Sequence, residues 1–230
     1  MSKRIIITVG TTGVGKSTII KLLLEILVHQ GKRIKVYTES VTVFNAYEKM
    51  ATIKEMNLSN EEADAIADDL NHLNLDVIIV EVGQDIEKLI QYIENASLFE
   101  LVVKFGWQLT FLQPITQKTS CITYLSQIIE SASNSANYVV VKNYHFFPEF
   151  REYEQSIRQN LLMIGGTEIH LTALHRNHYQ AMEKAGIPYS EVPHEKSIIL
   201  FWRSFIFQWI KKFRESVMSN NLAIKYLGLD

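Results

Sequence analysis

Short runs of apolar and β-branched residues alternate along the chain with longer stretches in which apolar positions recur every three or four residues. Six runs read as strands, at residues 4–9, 33–38, 76–82, 108–115, 138–142 and 168–172. Strands separated by helical segments are the signature of βαβ units, so the pattern predicts an α/β fold with a mostly parallel sheet and helices on both faces. Between the first two runs, residues 16–30 place Ile19, Ile20, Leu23, Leu24, Leu27 and Val28 at helical spacing, and Gly31 supplies a stop. Ser59 followed by Glu62 reads as a capping box opening a helix that runs to about Leu73. Residues 160–166, which include Gly165 and Gly166, and the later Gly186, Pro188 and Pro193 read as loops.

Residues 198–213 hold 11 apolar side chains in 16, among them Phe201, Trp202, Phe205, Phe207 and Trp209. Ser204, Gln208, Lys211 and Glu215 fall at helical spacing opposite, which predicts an amphipathic helix packed on its own sheet. With no repeat, low-complexity tract or Pro/Gly/Ser linker, residues 1–195 are expected to form one domain, with residues 196–230 as an aromatic-rich helix laid against it.

Composition narrows this picture. The 230 residues are 47% apolar and 21% charged, enough to bury a core and too ordered in pattern for a disordered chain. Lys and Arg total 23 against 25 Asp and Glu, a net charge of -2, so a general nucleic-acid surface is not expected and any DNA would be met through a local patch or a partner. Cys121 is the single cysteine, which excludes an internal disulfide or a cysteine-built metal site. No secretion signal or spanning segment is legible, since spanning takes about 20 mostly apolar residues. A cytoplasmic protein is the expectation. His170, His175 and His178 lack the cysteine partners of a zinc site and read as solvated. Arg151 and Arg158 share a plausible helix face, and no cluster of arginines is legible.

One motif carries chemistry. Gly10-Thr11-Thr12-Gly13-Val14-Gly15-Lys16-Ser17 satisfies G-x-x-x-x-G-K-[ST] and stands between the first strand and the first helix. The glycines let the backbone turn its N–H groups on phosphate oxygens, and Lys16 would bridge the β- and γ-phosphates. Ser17 would hold Mg²⁺ through its hydroxyl, and Thr18 would bond near the α-phosphate. Such a loop needs a carboxylate at a strand end to hold the metal through water. Glu81, closing the third run before Gly83, is the candidate, and Glu39 at the end of the second run is a second acid facing the phosphates. No N/T-K-x-D signature for guanine is present, whereas Asn143 ends the fifth run with an amide able to donate to and accept from an adenine edge, which favours ATP.

The order of these pieces resembles the MinD/ParA-type P-loop ATPases, and within them the TraL-type and related plasmid-transfer or plasmid-stability proteins. The likeness extends to about residue 190 and rests on the loop, on Val80-Glu81-Val82-Gly83, on residues 109–116 running into Gln117, on residues 139–143 followed by Tyr144, and on Ile187-Pro188-Tyr189-Ser190-Glu191. It implies Mg-ATP at the C-terminal edge of the sheet, Lys16 and Ser17 on phosphates and metal, Asn143 on adenine, and a cytoplasmic ATPase serving DNA segregation or conjugation with a protein partner or a second copy. The family's signature lysine, as in K-G-G-x-G-K, is absent: Thr11 and Thr12 stand at its first two positions. Glu81 and Glu39 stand where aspartates are usual. Weak ATPase activity follows as the expectation. The same loop also resembles thymidylate-kinase-like nucleotide kinases, although Glu81-Val82-Gly83-Gln84 stands where those enzymes carry an Asp-Arg pair.

Overall fold

The computed structural model describes residues 3–58, 64–71, 74–145 and 149–230. Its centre is a sheet of seven strands in the order β3-β2-β4-β1-β5-β6-β7, every neighbouring pair parallel. The strands are β1 (Lys3–Thr8), β2 (Ile34–Thr38), β3 (Thr52–Glu55), β4 (Val77–Glu81), β5 (Trp107–Ile115), β6 (Asn137–Asn143) and β7 (Thr167–Leu171). Six match the runs expected from sequence. The seventh, β3, is an edge strand of four residues, Thr-Ile-Lys-Glu, whose mixed and largely exposed side chains give no apolar run to detect.

Alternation within the buried strands feeds two cores. Ile5, Ile7, Ile78 and Val80 face one side, where α2 (Asp64–Leu70), α3 (Ile86–Asn95), α4 (Leu98–Lys104), α5 (Thr119–Ala132), α6 (Arg151–Ser156) and α7 (Arg158–Met163) pack. Ile6, Val36, Ile79 and Val139 face the other, covered by α1 (Lys16–His29), α8 (Arg176–Ala185), α9 (Leu200–Met218) and α10 (Asn221–Tyr226). Burial on both faces is what a parallel sheet requires. The first helix begins at Lys16 and stops before Gly31, close to the expected bounds. Ser59, Glu62 and Leu73 of the expected capping-box helix lie outside the described residues, and its described part is α2. Residues 160–163, expected as loop, belong to α7, where Leu161 is fully buried. Arg151 and Arg158 fall on separate helices, and Arg158 is drawn to Glu168 on β7 with Nη2 2.9 Å from Oε2.

At the C-terminal end, α9 runs five residues past Phe213. Ile206, Trp209, Phe213 and Val217 form its buried face, while Phe201, Phe205 and Phe207 remain exposed at 67%, 45% and 47%. A 100° step per residue explains the difference, since Phe201 and Phe207 fall well away from the stripe that meets the sheet and Phe205 lies at its margin, about 40° from Trp209. The same segment closes the β7 edge: Ser216 Oγ accepts from the His170 N–H at 2.8 Å, and Asn220 Nδ2 donates to the Glu168 carbonyl at 3.0 Å while its Oδ1 caps α10. His175 is the N-cap of α8, and the His178 ring stacks on Phe205 at 5.2 Å and packs beside Trp202, so His178 is half-buried rather than solvated. No described helix is long and apolar enough to cross a membrane.

The two strands that carry the acids are also tied at their starts. Arg33, before β2, donates from its backbone N–H and Nε to Asp76 Oδ2 and from Nη2 to Oδ1, each at 2.9 Å. These bonds hold the Asp76 carboxyl down at about 2. A depressed carboxyl stabilises the fold above its unfolded pKa of about 3.9 and loses that contribution as pH falls toward the folded value. In Arg33→Ala the Asp76 titration, followed by NMR, is expected to move up toward its ordinary value, and the acid loss of stability between about pH 4 and 2 to shrink. An unchanged Asp76 titration would contradict the assignment.

Candidate functional site

The parallel register brings Thr8, Glu81 and Thr38 into one row at the C-terminal edge of the sheet, Thr8 paired with Glu81 across β1 and β4, and Thr38 with Glu81 across β2 and β4. In-register residues of parallel strands point to the same face, so this row presents a carboxylate between two hydroxyls. Glu81, 8% exposed, accepts from Thr38 Oγ1 at 2.7 Å on one oxygen and from Ser17 Oγ at 2.5 Å on the other. Its neighbour Thr8 is fully buried, and the Thr8 hydroxyl has no hydrogen-bond partner among the described residues. The first turn of α1 is thereby fastened to the end of β4.

The loop from Gly10 to Gly15 crosses above this row. Gly15 adopts φ 98°, and a Cβ there would stand 2.9 Å from Asn143 Nδ2. Only glycine meets both demands without strain. Lys16 Nζ folds back on the loop, donating to the Gly10 carbonyl at 2.6 Å and the Thr11 carbonyl at 3.3 Å. Burial lowers its pKa, opposed by the charges of Glu81 and Glu39. Thr18, one residue past Ser17, shares a 2.7 Å hydrogen bond with the Tyr179 hydroxyl on α8. Thr11 is half-buried with its hydroxyl 3.9 Å from Cys121 Sγ, while Thr12 and Gly13 are exposed at the loop's crest and Val14 is buried beneath it. Glu39 is exposed at the end of β2, and its carboxylate lies against Gly83, where a Cβ would come within 3.0 Å of Oε2.

These residues open on a cavity of about 530 Å³. Every candidate residue from Thr12 to Thr18 except Val14 lines it, together with Glu39, Glu81 and Asn143; Gly10, Thr11 and Val14 do not. Further wall is built by His145 from the turn after β6, Leu171 at the end of β7, Thr172 just beyond it, Tyr179 from α8 and Trp209 from α9. That wall carries no sequence signature, because its members lie in different elements and meet only through the strand order. Beside it Lys21 Nζ donates to Glu183 Oε2 at 2.7 Å.

Asn143 sits at the junction, 3% exposed. Its Nδ2 donates to the Val14 carbonyl at 2.9 Å and its Oδ1 accepts from the His145 N–H at 3.1 Å. Asn143 therefore braces the phosphate loop against the end of β6, a role the strand-terminal position alone did not disclose.

The residues present suit a nucleoside triphosphate with its metal. A glycine-bearing loop that lines a cavity, a lysine resting on that loop's carbonyls, and a hydroxyl next to a strand-end carboxylate are the parts such a ligand needs. No group of three or more His, Cys, Asp or Glu side chains able to hold a cation occurs among the described residues, and a magnesium that keeps its waters and takes ligands from phosphate does not require one.

No family model and no curated protein matches this chain. Solved structures share its fold. The MinD cell division protein of Aquifex aeolicus superposes with a TM-score of 0.55 at 15% identity, over 96% of this chain and 98% of that one. The signal recognition particle receptor FtsY of Elizabethkingia anophelis gives 0.52 at 14% identity, over 91% of this chain and 66% of its own. A nucleotide-binding protein of Archaeoglobus fulgidus, solved in complex with ADP, gives 0.51 at 14% identity, over 80% and 86%. The chain spans 66% of the length of that FtsY and 53% of the FtsY of Thermotoga maritima. At these identities the likeness is one of fold: the chain has the P-loop NTPase fold of MinD and FtsY.

The brace predicts a stability effect independent of any ligand. Asn143→Ala leaves the buried Val14 carbonyl without its partner, and urea denaturation should show a loss of about 1–3 kcal/mol with an unchanged slope. A variant as stable as the parent would contradict the brace.

Proposed function

We propose that the chain binds Mg-ATP in the 530 Å³ cavity and works as a nucleotide-dependent switch with slow hydrolysis. The observation that carries the reading is the Ser17–Glu81–Thr38 set beneath a loop whose Lys16 Nζ rests on its own backbone carbonyls. An amine held by carbonyls at 2.6 and 3.3 Å exchanges those contacts for phosphate oxygens at little conformational cost. Magnesium, when bound with the triphosphate, neutralises developing charge on the phosphate oxygens. This chain's own work is to bind and orient. Loop N–H groups and Lys16 would hold the phosphates, and Ser17 by its hydroxyl and Glu81 through water would hold the metal. Thr18 serves the α-phosphate once released from Tyr179.

Asn143 is assigned to the base end. Its amide keeps one N–H beyond the bond to Val14, a donor that suits an adenine edge. The exposed segment after Glu39, with Ser40 and Val43 on the cavity wall, is the surface through which a bound γ-phosphate would be read by a partner or a second copy. The resemblance to TraL-type proteins extends the proposal to plasmid transfer or partition in the cytoplasm, with DNA met through that partner. A nucleotide kinase is the other reading of the loop. Among the described residues no arginine lines the cavity, which favours the switch, since kinases of that kind close arginines over the phosphates.

Displacement of a fluorescent ATP analogue tests the site. Lys16→Ala should abolish binding, and GTP should compete markedly less well than ATP; retained affinity in the variant, or equal competition, would contradict the assignments of Lys16 and Asn143 respectively. Incubation with radiolabelled ATP and nucleoside monophosphates should leave the acceptors unlabelled, and label on a monophosphate would overturn the switch in favour of a kinase.

A further inference from the structure

One side chain at the crest of the site belongs to neither the loop motif nor the strand-end acids. Gln84 follows Gly83, three residues beyond Glu81, and its Oε1 accepts a 2.8 Å hydrogen bond from Thr12 Oγ1. The bond closes the span between the phosphate loop and the turn after β4. Gln84 stands where two cavities meet. With Glu39, Val82 and Gly83 it lines both the nucleotide-sized cavity and a second, polar one of about 630 Å³ reached past Glu55, Asn57, Asp85 and Lys88. Because Oε1 is engaged by Thr12, the amide is fixed in orientation. Its nitrogen has no hydrogen-bond partner among the described residues, leaving two donors and an exposed side chain at the passage.

We propose that Gln84 is a catalytic residue that holds the attacking water for hydrolysis of the nucleoside triphosphate, and that Thr12 is the positioning residue that orients its amide. The proposal rests on the reading that the first cavity holds a triphosphate. Water enters from the polar second cavity and meets Gln84 beside Glu39. The water oxygen bonds to the γ-phosphorus, the bond from that phosphorus to the β–γ bridging oxygen breaks, and the leaving diphosphate keeps the electron pair. The proton lost by the water passes to the Glu39 carboxylate, which lies against Gly83. Thr12 stands at a position where the K-G-G-x-G-K pattern has glycine, so the hydroxyl–amide pair is a device of this chain that a loop with glycine there could not build.

The test compares the parent, Gln84→Ala, Thr12→Ala and Thr12→Ser in three measurements. These are calorimetric affinity for Mg-ATP, affinity for Mg-ADP with aluminium fluoride as a mimic of the phosphoryl group in transfer, and the single-turnover rate of hydrolysis. Gln84→Ala should keep its ATP affinity and lose about a hundredfold in both rate and affinity for the mimic. Thr12→Ala should lose in the same two readouts by less, and Thr12→Ser should restore both. If the parent binds ATP and Gln84→Ala matches it in rate and mimic affinity, or loses ATP affinity as well, the role of Gln84 is overturned while the nucleotide site stands. If the parent binds no ATP, both fall together.

Discussion

The Glu81 carboxylate, accepting from Ser17 on one oxygen and Thr38 on the other, is the contact on which the site depends. It joins three elements far apart in sequence: the first turn of α1, the end of β4 and the end of β2. The sheet makes this possible. With β4 inserted between β1 and β2, the parallel register sets Thr8, Glu81 and Thr38 side by side, so the acid arrives under the phosphate loop already aimed. A buried carboxylate is costly unless its oxygens are hydrogen-bonded, and the two hydroxyls meet that requirement in the absence of ligand. Lys16 is held in the same way by its own loop carbonyls. The site is thus assembled from groups that satisfy one another and can be redirected together.

The second half of the chain completes the cavity rather than standing beside it. β6 delivers Asn143 to the back of the loop, α8 brings Tyr179 to Thr18, and α9 sends Trp209 under the wall, its indole N–H donating to the Thr172 carbonyl at 2.7 Å. Lys21 on α1 reaches Glu183 on α8, and Tyr189 bonds the same carboxylate. A nucleotide that displaced Tyr179 from Thr18 would therefore act on a packed network running from the phosphate loop to the C-terminal helices. Such coupled contacts are how a small local change is transmitted in a close-packed interior.

Much of this was legible in the amino-acid sequence, and what was not has physical reasons. The phosphate loop is visible because its chemistry fixes residue types at consecutive positions. The central strands are visible because burial on both faces demands uninterrupted apolar runs. β3 is hidden because an edge strand of mixed polarity needs neither. The phenylalanines of α9 misdirect, since so wide an apolar face does not disclose which stripe of it is buried, and Trp209 and Phe213 rather than Phe201 and Phe205 meet the sheet. Asn143 could be placed at a strand end but its bond to Val14 could not, because that contact spans 129 positions. The setting of Gln84, the wall formed by His145, Leu171 and Tyr179, and the Thr8 hydroxyl with no hydrogen-bond partner among the described residues depend on strand order and register, which no local pattern encodes.

The row of Thr8, Glu81 and Thr38 and the loop above it are the proposed site for a metal-bound triphosphate. Calorimetric titration of the unaltered protein with ATP, in magnesium and again in excess chelator, tests it most directly. One molecule of ATP bound per chain, with affinity falling by at least about tenfold when magnesium is withdrawn, is the result expected of a hydroxyl and carboxylate that act on the metal. Absence of binding in magnesium, or binding indifferent to the metal, would contradict it.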